Sequence, residues 1–196
     1  MYQDLHLSEL QHRIAAFDDQ LAYEELFYRY ARRLQQFAYS ICHHREAAEE
    51  IVLDVFMRVW LKRKTLDHIQ NLKLYLYIAT RNHSLNYNRG EQRFSSMQLD
   101  ELVTEPASLL PDPDELLRSA ELNQQIQEAI GQLPAQCKVI FRLAKEDGLK
   151  HKEIAELLHI QPKTVENQLA IALKKLAVVL GTLQRKRSSL PVGGGR

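Results

Sequence analysis

Lys163, Thr164, Glu166, Asn167 and Lys174 bring ammonium, hydroxyl, carboxylate and amide groups into one short stretch. Such a set suits hydrogen-bonded recognition of nucleic-acid bases. An Asn amide pairs with the edge of adenine, a Glu carboxylate accepts from cytosine N4, and a Lys ammonium reaches guanine or phosphate. At about 100° per residue from Pro162, Lys163, Asn167, Ala170 and Lys174 share one side of a helix, flanked by Thr164 and Glu166. Ala170 leaves room there for close approach. Val165, Leu169, Ala172, Leu176 and Val179 fall together on the opposite side and are expected to face a core. Upstream, Ile154, Ala155, Leu158 and Ile160 join Val165 as the apolar clasp of two short helices, with Ala155 small at the crossing. The pattern is a helix-turn-helix, whose second helix enters the DNA major groove. His159 stands at the turn where Gly is usual, and Gln161 stands in for a Ser/Thr cap, so a strained or differently closed turn is expected.

Two further rows carry polar chemistry. Glu50, Asp54 and Arg58 lie at i, i+4 and i+8 beside the apolar stripe Ile51, Val55 and Val59. Read alone, they form a charge ladder contributing a few tenths of a kcal/mol per pair. Tyr75, Ala79, Asn82, Asn86, Arg89 and Arg93 lie within about 40° of one helical line. The upper part of that line is apolar, and the lower part offers amides and guanidinium groups to bases and phosphates. Catalytic signatures are missing: there is no phosphate-cradling Gly-rich loop, nucleophile elbow or HExxH. Cys42-His43-His44 are adjacent, have no second ligand pair and make a poor metal site. No catalytic residue, metal or cofactor is expected.

The elements that position these rows read as helices throughout. Gly and Pro number only 7 and 6 in 196 residues, and helix formers dominate. Asp18-Asp19 caps a helix reaching about Cys42, whose apolar side is Leu21, Leu26, Phe27, Tyr30, Leu34, Phe37 and Ile41. A second runs from about Arg45 to Leu61, and a third starts at the cap Asn71 and reaches about Arg93. From Phe94 to Asp112 the periodicity lapses into Ser, Pro and acids, which marks a linker able to extend roughly 60 Å at ~3.3 Å per residue. Asp112-Pro113 opens a helix to about Ile130, and Pro134 opens another that ends at Asp147-Gly148. Lys150 to Leu158 and Pro162 to about Leu183 complete the set, and the tail SSLPVGGGR is expected to be disordered.

Charge follows the same division. Residues 26–93 hold 12 Lys+Arg against 6 Asp+Glu, and residues 138–187 hold 11 against 5, while residues 97–121 hold 1 against 7. Two basic blocks around an acidic spacer suggest two surfaces for one polyanion. No apolar run approaches the ~20 residues of a membrane span, and two distant cysteines suit a reducing compartment, so a cytoplasmic protein without membrane insertion is expected.

Three segments resemble the sigma factors of bacterial RNA polymerase. AAEEIVLDVFMRVW resembles their polymerase-binding segment, with Asp54, Phe56 and Trp60 at the family's spacing. LYLYIATRNHSLNYNRG resembles the segment that recognises and opens the minus-ten element, and QLPAQCKVIFRLAKEDGLKHKEIAELLHIQPKTVENQL the domain that reads the minus-thirty-five element. The short length, with nothing extra between the halves, resembles the extracytoplasmic-function group. The resemblance implies an all-α chain of two small helical domains, an N-terminal helical bundle and a C-terminal helix-turn-helix, joined by a flexible linker. Residues 1–17 would be an extension, 18–94 region 2, 95–112 the acidic linker, 113–185 region 4 and 186–196 the tail. It implies polymerase binding by Glu50, Asp54, Phe56 and Arg58. It implies minus-ten contacts by Lys73, Arg81, Asn82, Asn86, Arg89 and Arg93, with the loop from Lys64 to Asn71 holding a flipped base. It implies minus-thirty-five contacts by Lys163, Thr164, Glu166, Asn167, Gln168 and Lys174. Core RNA polymerase, promoter DNA and an anti-sigma protein are the implied partners, and no enzymatic activity is implied. From the residues alone, a helix-turn-helix regulator that does not join polymerase, or a basic helical module for an acidic protein, stays open.

Overall fold

The computed structural model describes residues 2–94 and 126–188, with side chains at 91–94 and 179–188 outside that description. The expected linker 95–112, the helix start at Asp112-Pro113, the tail and the side chains of Arg93 and Val179 fall outside the described residues. The chain separates into an N-terminal and a C-terminal unit.

The N-terminal unit begins with α1 (Leu7–Phe17), a helix the sequence pattern left inside an extension. Its Leu10 and Ile14, at i and i+4, are both fully buried. Burial of each contributes about 1.5–3 kcal/mol, so α1 is part of the bundle. Asp18 then takes φ 54, a left-handed turn, and Asp19 caps α2 (Gln20–Cys42) by accepting a hydrogen bond from Ala22 N at 3.1 Å. The buried stripe of α2 is Ala22, Leu26, Tyr30, Ala31, Leu34, Phe37 and Ala38. Leu21, expected inside, is 57% exposed, because it falls one residue off the i, i+4 row that Ala22 and Leu26 define.

The Cys42-His43-His44 run is a chain reversal. His43 takes φ 55 as the C-cap of α2, and His44 Nδ1 accepts from Ala47 N at 3.2 Å as the N-cap of α3 (Arg45–Leu61). Inward from α3 point Ile51, Val52, Val55, Phe56 and Val59. A 3-10 turn (Arg63–His68) follows, then α4 (Leu72–Phe94), capped by Asn71 Oδ1 accepting from Leu74 N at 3.0 Å. The buried face of α4 turns from Leu72, Leu76 and Tyr77 to the small polar Thr80 and Ser84. Their hydroxyls donate back to Leu76 O and Thr80 O at 2.9 Å, so neither is an unsatisfied buried group.

Arg29 on α2 ties down the start of the chain, donating to Leu5 O at 2.7 Å and to Tyr2 O and Gln3 O at 2.8 Å. Arg13 donates to Asp19 Oδ2 at 2.8 Å and to Tyr2 Oη at 3.1 Å, and Tyr2 Oη donates to Asp19 at 3.0 Å. Partial burial opposes ionisation of Asp19, but Arg13, the Ala22 amide and Tyr2 together outweigh it and hold the carboxyl below its ordinary pKa.

In the C-terminal unit, α5 is described from 126 to 131, followed by α6 (Ala135–Lys145) after Pro134. Ala129, Ile130, Leu133 and Cys137 pack with Ala172 and Leu176 of the last helix, and Ile126 and Phe141 flank them. Gly148 takes φ 65, and Leu149 N returns to Leu143 O at 2.9 Å. α7 (His151–Leu158) starts with Glu153 accepting from Lys150 N at 2.7 Å, half of a capping box. Leu157 is buried at 1% exposure where Leu158, expected in the clasp, is only half-buried. His159 takes φ 53 and Ile160 N donates to Ala155 O at 3.0 Å, so the turn closes in the glycine-type geometry with a β-carbon in place. α8 (Pro162–Ser188) starts at Pro162.

Two outcomes test this fold. A folded-state pKa below the unfolded value means that Asp19 stabilises the protein above about pH 3.9 and loses that contribution as pH falls through its native pKa. Asp19→Asn keeps the cap acceptor and removes the charge, so thermal melts should show a loss of about 1 kcal/mol at neutral pH, shrinking below about pH 4. His159→Gly relieves the left-handed strain and should raise the urea midpoint by about 0.5–1 kcal/mol in equivalent stability.

Candidate nucleic-acid interface and its docking face

α8 presents the expected reading face. Lys163, Glu166, Asn167, Ala170 and Lys174 are exposed, Thr164 is half-buried, and Val165, Leu169, Ala172 and Leu176 face inward. Lys163 Nζ donates to Glu166 Oε2 at 2.8 Å. That hydrogen bond raises the Lys163 pKa and lowers that of Glu166, so both stay charged. Water screens a pair this exposed, and either partner is free to turn to a base edge or phosphate at small cost. Gln168 departs from the expectation. It is half-buried, and its Oε1 lies 2.6 Å from the Cys137 Sγ that donates to it. At one position past Asn167 the helix has turned toward the core, so Gln168 joins α8 to α6 and leaves the reading face.

On α4, Asn82, Asn86 and Arg89 are exposed along one line, with Arg93 continuing it by position. Lys73 and Arg81 are half-buried. Lys73 lies about half a turn away from the Asn82 line, on the side of Leu76 and Thr80, and so does not share its surface. His83 on α4 has its pKa pushed down by partial burial and then by Arg58, with Asp54 opposing. His83 on α4 therefore lies close to Asp54 and Arg58 of α3.

On α3, Glu50 and Arg58 are exposed and Asp54 is half-buried. Phe56 is a correction to the contact set, since it is only 1% exposed. Its ring meets Phe27 at 4.9 Å and Tyr23 at 6.2 Å, and its carbonyl accepts from Tyr23 Oη at 2.8 Å. It supports the face from beneath. Trp60 lies 4.9 Å from Tyr23, with the Arg63 guanidinium 4.5 Å over its ring. Beside the charged row runs a second one that sequence reasoning missed: Leu53, Met57 and Leu61, at 56%, 54% and 70% exposure. Its i, i+4, i+8 spacing was readable, but α3 is apolar on several sides and only packing shows which row faces out. Leu53, Asp54 and Met57 line an open groove of about 610 Å³ with Tyr23, Phe27 and Trp60. Apolar side chains left exposed in a row beside fixed charges suit a helical protein partner.

Among the described residues no group of three or more His, Cys, Asp or Glu is placed to hold a metal, and no helix is long and apolar enough to cross a membrane.

A polar, exposed helix face on a helix-turn-helix and an exposed apolar row on a separate helical unit suit a DNA-binding transcription protein. The Sigma-70 region 2 family matches residues 26–94, and Sigma-70, region 4 matches residues 123–176. RNA polymerase sigma factor NccH of Alcaligenes xylosoxydans xylosoxydans is 26% identical over 185 residues, covering 92% of this chain and 98% of its own. ECF RNA polymerase sigma factor SigW of Bacillus subtilis is 27% identical over 161 residues, covering 77% and 84% respectively. The solved sigma factor RpoE, in complex with the anti-sigma factor NepR from Bartonella quintana, shares the fold at a TM-score of 0.53 and 21% identity, over 81% of this chain and 96% of that one. The chain belongs to the sigma-70 family, in its extracytoplasmic-function group.

The two neighbours on α8 separate reading from folding. Gln168→Ala should lower the urea midpoint by the equivalent of about 1 kcal/mol, because the buried Cys137 thiol loses its acceptor. Asn167→Ala should leave stability within about 0.5 kcal/mol of wild type.

Proposed function

We propose that this sigma factor joins core RNA polymerase through the outer face of α3, reads and opens the minus-ten element with the lower half of α4, and reads the minus-thirty-five element with the outward side of α8. The observation that carries the reading is the exposed row Leu53, Met57 and Leu61 beside Glu50, Asp54 and Arg58. An apolar strip docks against the clamp helices of the polymerase largest subunit, and the flanking charges set its register. Phe56 and Trp60 hold that face rigid from within. Asn82, Asn86, Arg89 and Arg93 track the separated strand, while the loop from Lys64 to Asn71 holds one extruded base. Extrusion costs a few kcal/mol, and polymerase binding offsets it. On α8, Lys163, Thr164, Glu166, Asn167 and Lys174 meet the major groove. The charge of the acidic stretch 95–112 disfavours binding to DNA.

On this reading the chain catalyses nothing itself and lends the polymerase its promoter choice. It works in the cytoplasm, and an anti-sigma protein holding it inactive is the regulatory partner. A helix-turn-helix regulator acting without polymerase is not favoured, because region 2 has no place in it.

Purified core polymerase tests the proposal. The chain should co-elute with core enzyme and direct initiation from a promoter mapped by transcript starts after overexpression. Asp54→Lys should weaken core binding by about tenfold or more while leaving the melting temperature unchanged. Lys163→Ala or Asn167→Ala should keep core binding and lose about 1–3 kcal/mol of promoter discrimination per base contact. No co-elution at low salt would leave only a generic DNA binder.

A further inference from the structure

We propose that α1 is a brace for the base-holding loop, with Gln11 as its central positioning residue; this rests on the reading of that loop given above. The loop and α1 are far apart in the chain and tied at three places. Gln11 is buried, and its Nε2 donates to Leu66 O at 2.5 Å and Ile69 O at 2.7 Å, 55 and 58 residues away. Those two carbonyls bracket the turn that Ile69 N closes onto Leu66 O at 2.8 Å. Asp18, placed by the left-handed turn that ends α1, accepts from Arg63 Nε and, at 2.8 Å, from Lys64 Nζ. His12 Nδ1 lies 3.1 Å from Asp67 Oδ2. Beneath these polar links Leu66 is 1% exposed, an apolar anchor for the loop.

The arrangement leaves the loop two-sided. Its inner carbonyls and the start of the 3-10 turn are held by α1, whereas Thr65, His68 and Gln70 face solvent. Packing of Leu10 and Ile14 already attaches α1 to the unit. A buried amide that spends both N–H groups on one loop adds shape to that attachment. A loop ordered on folding meets the extruded base without a further entropy loss at capture, which is the general gain from preorganisation.

The test uses holoenzyme and a fluorescent single strand carrying the non-template minus-ten sequence of a mapped promoter, with an abasic site moved along it one position at a time. For wild type, removing the captured base should weaken binding by about tenfold, the worth of one base contact. For Gln11→Ala, and for the milder surface variants His12→Ala and Asp18→Asn, the intact strand should bind more weakly and the abasic penalty should shrink toward none. Core-polymerase affinity and helix content should match wild type. A general folding defect would lower binding to both strands alike and leave the ratio unchanged. Variants that fold, bind core and retain the full wild-type abasic penalty overturn the brace while leaving the loop reading intact. A wild type indifferent to an abasic site at every position overturns the loop reading and the brace with it.

Discussion

The stripe of Ala22, Leu26, Tyr30, Leu34, Phe37 and Ala38 along α2 is the surface on which α1, α3 and α4 are assembled. Once α3 turns Val52, Val55, Phe56 and Val59 toward it, geometry forces Leu53, Met57 and Leu61 outward, with Glu50, Asp54 and Arg58 alongside. Once α4 turns Leu72, Leu76, Tyr77, Thr80 and Ser84 inward, Asn82, Asn86 and Arg89 must face solvent. The exposed faces of α3 and α4 are thus the complements of one buried surface, and neither can be rotated without breaking the core.

Polar residues make several of the chain reversals in this protein. Asp18 and Asp19 turn the chain between α1 and α2, and His43 and His44 do the same between α2 and α3. His159 turns it between α7 and α8. Three of these five adopt left-handed φ without being glycine. The cost is offset locally: Asp18 reaches Arg63 and Lys64, and Ile160 N recovers a hydrogen bond to Ala155 O. A Cys-His-His run that invites a metal reading is explained by caps alone.

The exposed faces of α8 and α4 differ in kind. The α8 face carries a screened Lys163–Glu166 pair and one central amide, which suits duplex base edges. The α4 face carries amides and guanidinium groups in line, which suits a separated strand whose phosphates and bases are both accessible.

Helix content, the caps at Asp19 and Asn71 and the helix-turn-helix were legible in the chain, because periodicity, those caps and Pro162 act over only a few residues. The outward side of α8 was legible too, since Val165, Leu169, Ala172 and Leu176 form one buried row opposite Lys163, Asn167, Ala170 and Lys174. Three features were not. α1 is short, with Leu10, Ile14 and Ala15 as its buried apolar residues, and its partners lie in α2 and in a turn more than fifty residues on. Phe56 and Gln168 look as available as their neighbours until the aromatic cluster and Cys137 close over them. On α3, periodicity picked out the buried stripe Ile51, Val55 and Val59, but it gave no sign that the second apolar row Leu53, Met57 and Leu61 stays exposed. Local hydrogen bonds and side-chain spacing are properties of a segment. Which of several apolar rows is buried depends on contacts between distant segments, and those exist only after the helices have packed.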